Sequence, residues 1–125
     1  MDLKQRAETF LTAIVNKRET ASIEDLLHPD IQFTHNDMPP MSKSAFLEFW
    51  PQVLHRSPRF NVQIRDVIAE GLRVWVYSRV EGRFGGGVLD DVHMLLFDDH
   101  GLLIRSRGIQ REVEGKMDGK DAKLS

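Results

Sequence analysis

The sequence contains no cysteine, which removes a disulfide framework, a thiolate nucleophile and a zinc–thiolate centre from consideration. Neither charge sign is in excess: 17 Lys and Arg stand against 19 Asp and Glu, for a formal net charge of −2. A basic stripe of the kind that binds nucleic acid is missing. Arg105, Arg107 and Arg111 do cluster, but acidic residues flank them on both sides. The apolar runs are far shorter than the roughly 20 residues that span a bilayer. The opening MDLKQRAETF is charged throughout, unlike a signal peptide. A cytoplasmic protein that binds neither membrane nor nucleic acid is the expectation. The glycines at 85–87 are not a phosphate loop, because no lysine and helix follow them.

What is present is an ordinary globular composition. A chain of 125 residues that is 41% hydrophobic and 29% charged suits one domain around a single core. Residues 2–17 read as an amphipathic helix, with Leu3, Ala7, Phe10, Leu11, Ile14 and Val15 on one face and Asp2 as N-cap. A short second helix is expected from Ser22, with Asp25 in a variant capping box and Pro29 as its stop. A third begins after Ser42 and carries Phe46, Phe49, Trp50, Val53 and Leu54, with Pro51 expected to kink or divide it. Between the second and third helices lies the strand-like stretch IQFTHND. After Pro58 four runs of period two follow, separated by turns such as AEG and DDHG; Phe60, Val62, Ile64 and Asp66 are expected to share one face of the first, and Ile104, Ser106, Gly108 and Gln110 to point inward from the last. Helices segregated from a mostly antiparallel sheet make an α+β domain over residues 1–113. The remaining EGKMDGKDAKLS, 114–125, has alternating charge and no apolar period, and is expected to be a disordered tail.

The chemistry-bearing residues collect on strands. Alternation puts His35 and Asp37 on one face with Ile31 and Phe33, and puts His93 on one face with Asp91, Leu95 and Phe97. Two imidazoles facing a common ligand form an acid–base pair, one taking a proton while the other gives one. Asp37 or Asp91 is placed to orient one of the rings. His28, His55 and His100 sit beside turns and helix ends and read as surface residues. A rival reading takes His35, Asp37 and His93, with Arg105 or Arg107 downstream, as a two-histidine, one-carboxylate iron site. Against it, the barrel that carries such sites needs more strands than this chain offers.

The strings LLHPDIQFTHND, IRDVIAEGLRVWVYSRVEG and DVHMLLFDDHGLLIRSR, in this order over residues 3–113, resemble the nuclear transport factor 2-like superfamily, particularly its SnoaL-like branch. The resemblance implies a cone: a curved, mostly antiparallel sheet covered by three N-terminal helices, enclosing a ligand cavity. That superfamily includes isomerases, cyclases, dehydratases and non-catalytic binding modules, so fold alone decides no chemistry. In ketosteroid isomerase the general base lies where this chain has His35, the protonated aspartic acid where it has His93, and a tyrosine where it has Phe10. That last donor is missing, so the same steroid apparatus is not implied.

Within the cone, His35 is assigned as base, His93 as acid or oxyanion donor, and Asp37 as the orienting carboxylate. Phe10, Ile14, Phe33, Phe49, Trp50 and Phe97 would wall a pocket for a hydrophobic small molecule. Asp91, Ser106 and Gln110 would add polar contacts, and Gly108 would leave room. The expected function is an isomerase, cyclase or dehydratase of a biosynthetic pathway that uses neither metal nor cofactor. A non-catalytic binding or dimerisation module of the same fold is the alternative. A homodimer is expected through the outer sheet face, where Trp75, Tyr77, Val92, Met94 and Ile109 make a partly apolar patch.

Overall fold

The computed structural model describes residues 2–113, so the tail assigned to 114–125 lies outside the described residues. Helix α1 spans Leu3–Val15, and strand β1 spans Leu27–His35. Helix α2 (Lys43–Arg56) is followed by strands β2 (Asn61–Glu70), β3 (Arg73–Glu81), β4 (Val88–Phe97) and β5 (Leu103–Val113). The five strands form one sheet in the order β1-β5-β4-β3-β2, antiparallel except where β1 runs parallel to β5. The architecture is the expected α+β cone: a curved, mostly antiparallel sheet with helices on one side. Among the described residues no helix is long and apolar enough to cross a membrane.

Local chemistry explains the boundaries. Asp2 caps α1 by accepting the Gln5 N–H at 3.1 Å. Its face of Ala7, Phe10, Leu11, Ile14 and Val15 is buried. At the other end the Asn16 amide imitates a strand edge, donating to the Val62 carbonyl at 3.0 Å and accepting the Val62 N–H at 2.8 Å. Ser42 caps α2 through the Ala45 N–H at 3.2 Å. Helix α2 continues through Pro51 undivided; the proline costs one internal hydrogen bond but its neighbours hold the turn.

Four expectations shift. The second helix is a 3-10 turn, Ala21–Leu26, capped at Thr20 without a side-chain bond. Leu27 already belongs to β1, and Pro29 lies inside that strand, where the pairing register slips between Leu27 and Gln32. A proline has no N–H for the ladder, so the slip falls where a bond could not form. Further on, irregular register between Leu96 and Phe97 makes Leu103, not Ile104, the fully buried residue of β5's start. A similar irregularity between Ile64 and Asp66 turns Val67 rather than Asp66 toward the core.

The core runs from α1 across the concave face of the sheet, with Val74, Val76, Leu95, Phe97 and Leu103 at its floor. Part of it is a line of rings. Phe33 and Phe46 stack with centroids 3.9 Å apart, Phe46 and Trp50 at 5.5 Å, and Trp50 meets Phe60 at 5.8 Å. The Trp50 indole N–H is satisfied by the Ile14 carbonyl at 2.7 Å. On the convex face Trp75, Tyr77 and Ile109 are exposed.

Candidate active site

His35 is the last residue of β1 and pairs in register with Gly108 of β5, while His93 of β4 pairs with the same Gly108 from the other side. The two imidazoles therefore flank one glycine across three adjacent strands. A Cβ on Gly108 would lie 3.1 Å from His93 Nε2 and 3.5 Å from His35 Nδ1. One nitrogen of each ring thus approaches a single point above the sheet. The glycine matters for its missing side chain, since its backbone is not in the left-handed region.

Behind His93 stands Asp91, only 1% exposed, with Oδ1 2.7 Å from His93 Nδ1. The contact is close but not an aligned hydrogen bond, and neither atom has another partner among the described residues. With Nδ1 turned to Asp91, Nε2 is the atom His93 offers over Gly108. The other Asp91 oxygen accepts from Gln110 Nε2 at 2.6 Å, which leaves Gln110 Oε1 free to accept from Arg83 Nη1. A polar chain thus runs from Arg83 through Gln110 and Asp91 to His93. On the neighbouring strand, Ser78 pairs in register with Asp91 and is buried, its hydroxyl without a partner among the described residues.

His35 is held by the end of its strand. Asn36 adopts a left-handed backbone (φ 50°), donates its N–H to the Gly108 carbonyl at 2.7 Å, and accepts the Gln110 N–H on its side chain at 2.8 Å. Burial pushes the His35 imidazole below its ordinary pKa, and electrostatic repulsion from Arg83 and His93 pushes the same way. The Asp91 charge and a Gln110 hydrogen bond oppose them without reversing the direction. His35 is thereby favoured in its neutral, proton-accepting form.

The expected site residues divide. His35, His93, Asp91, Gly108 and Gln110 come together. Ser106 lies on the same inward face, between Phe33 and Leu95. Asp37 does not join them: β1 ends at His35, the left-handed Asn36 breaks the alternation, and Asp37 sits exposed in a turn. The carboxylate beside an imidazole is Asp91. Phe49 is 45% exposed, and Phe46 one helical turn earlier takes the inward place. Phe10, Ile14, Phe33 and Phe97 are buried as packed core and Trp50 is partly buried against them, so they floor the site rather than wall an open cavity. Two open depressions lie around the start of α1, one with Ala69 and Gly71 and the other with Arg6 and Thr9, and neither touches a histidine. They hold no convergent acid–base groups. Among the described residues no three His, Asp or Glu side chains converge as metal ligands, so His35, Asp37 and His93 do not form the alternative iron site.

Sequence reading missed Asn36 and Arg83. An asparagine just past a strand is a signal for a left-handed turn residue. Arg83 gives no such signal, because only the folded loop brings it to Gln110.

Residues 7–106 match the SnoaL-like domain. The chain belongs to the SnoaL-like domain family. Two relatives of this SnoaL-like chain are each named "Probable cyclase otaY". That of Aspergillus niger is 74% identical over 118 residues, covering 94% of this chain and 99% of that protein. That of Aspergillus carbonarius is 64% identical over 115 residues, covering 92% and 94%. Among solved structures, wild-type IdmH of Streptomyces antibioticus, a suggested polyketide cyclase, superposes with a TM-score of 0.76. It covers 88% of this chain and 92% of its own at 15% identity, a likeness of fold.

Proposed function

We propose that this SnoaL-like chain is a biosynthetic cyclase that closes a ring in a hydrophobic small molecule by acid–base chemistry carried on its own side chains. The observation that carries the proposal is the convergence of His35 Nδ1 and His93 Nε2 on one point above Gly108, with Asp91 behind His93. The cyclase names of the two Aspergillus relatives support the reaction class.

Neutral His35 takes a proton from a carbon flanked by carbonyl groups. The released electron pair attacks a second carbonyl carbon of the same molecule and forms the ring bond. That carbonyl's oxygen takes the proton from His93 Nε2, with Asp91 balancing the charge on the imidazolium before it is given up. His35 then holds one proton more and His93 one fewer. Transfer between the facing rings restores the starting state. The product is an isomer of the substrate, and no nucleophile on the protein is required.

The test is the purified protein incubated with a panel of linear β-polyketones, with ring products followed by chromatography and mass spectrometry. Cyclisation above the buffer rate is expected, falling about 10²- to 10⁴-fold in His35→Gln and in His93→Asn while both remain folded. Turnover unchanged in both variants would end the mechanism. A non-catalytic binding module is favoured by one observation, the packed interior beneath the histidines. It expects no acceleration with any member of the panel.

A further inference from the structure

The loop between β3 and β4 brings to the site a charge that the acid–base pair leaves unused. Arg83 is half-buried there, and among the described residues the one hydrogen bond of its side chain goes to Gln110 Oε1. It forms no ion pair among the described residues. Asp91, the carboxylate of the same polar chain, is separated from it by the neutral Gln110 amide. A guanidinium has five N–H donors, so most of Arg83's remain available.

The arginine is placed rather than loosely tethered. Gly82 before it (φ 79°) lies so close to the Arg59 backbone that a Cβ there would fall 2.0 Å from the Arg59 carbonyl oxygen. Phe84 after it donates its backbone N–H to the buried Ser57 hydroxyl at 2.8 Å. Two fixed points therefore bracket Arg83, and its charge is felt at His35. Beyond Phe84 the three glycines 85–87 carry the chain away to β4 with positive φ.

We propose that Arg83 is the oxyanion-holding residue of this site, its guanidinium receiving the oxygen of an enolised 1,3-dicarbonyl substrate beside the two histidines. The proposal rests on the acid–base reading above and names the substrate class that reading leaves open. When His35 removes the proton, the C–H bonding pair moves into the carbon–carbon–oxygen system and negative charge gathers on the carbonyl oxygen. A fixed cation at that oxygen stabilises the enolate and the transition state leading to it more than the neutral ketone. Gln110 contributes by keeping Arg83 close to the histidines without letting Asp91 neutralise it. The spacer explains why a neutral amide stands between an arginine and an aspartate that would otherwise pair directly.

The experiment is calorimetric titration of the full chain with dimedone, a cyclic 1,3-diketone that is an enolate at neutral pH, and with its O-methyl enol ether, which is neutral and similar in shape. Wild-type protein is expected to bind dimedone at least tenfold more tightly than the ether. Arg83→Gln is expected to lose that preference, and Arg83→Lys to keep most of it. The ratio of two ligands on one protein is insensitive to partial loss of folded material. A preference that survives Arg83→Gln, or that is absent from the wild type, overturns the proposal. Binding needs no turnover, so a failure of the histidine mechanism shows separately, as undiminished cyclisation in the histidine variants.

Discussion

The concave side of the sheet is built in two ways. Toward the helices it is filled by stacked rings, Phe33 on Phe46 on Trp50, with the indole N–H satisfied and little surface left open. Toward the free end of β1 it is polar: His35, His93, Asp91 and Gln110 surround a glycine, and His93 keeps 17% of its side chain exposed. In the first region position is fixed by volume, and each ring is held by the next. In the second it is fixed by hydrogen bonds and by a missing side chain, and several polar atoms have no partner among the described residues. The packed end makes the fold and the sparse end leaves atoms available for a substrate.

That contrast can be broken at either end. Phe46→Ala should cost about 3–5 kcal/mol, the range for deleting a buried aromatic ring. Phe49→Ala, three residues along the same helix, should change stability by no more than about 0.5 kcal/mol. Chemical denaturation of the pair checks both, and equal losses would mean that the assignment of inward and outward faces is wrong. At the polar end, Gly108→Val should leave the fold intact and reduce cyclisation about 100-fold, because displacing a catalytic group by an ångström is enough for that. Rates and melting curves read together separate the two effects. A modest gain in stability is expected at Ser78. Removing its buried, unpartnered hydroxyl in Ser78→Ala should raise stability by about 1 kcal/mol in a denaturant titration.

The fold was legible in the sequence because periodicity reports burial directly. Val74, Val76, Ser78 and Val80 alternate with exposed or half-exposed neighbours, as the strand pattern required. The same logic placed His93 and Asp91 on the inward face. It failed where the backbone leaves its period. Asn36 turns left-handed and takes Asp37 out of register, and the slips near Ile64 and Leu96 exchange Asp66 for Val67 and Ile104 for Leu103. Phe46 and Phe49 lie on neighbouring positions of an amphipathic helix, and only packing against Phe33 decides which turns inward. Arg83 was beyond reach, since its role depends on a loop pinned by contacts far apart in sequence, Gly82 on Arg59 and Phe84 on Ser57.

The central claim is that His35 and His93 act as one unit in which His35 is kept neutral. The sign of its pH dependence follows. A histidine whose folded pKa lies below the unfolded value of about 6.5 binds its proton more readily when unfolded. Its contribution to stability is therefore complete above about pH 6.5 and is lost as pH falls toward the depressed folded value. The most direct measurement is an NMR titration of the imidazole C2–H signals of the full chain, assigned with His35→Gln and His93→Asn. The account predicts a His35 midpoint below 6.5 that rises toward the ordinary value in His93→Asn. A His35 midpoint at or above 6.5, unmoved by the loss of His93, would contradict it.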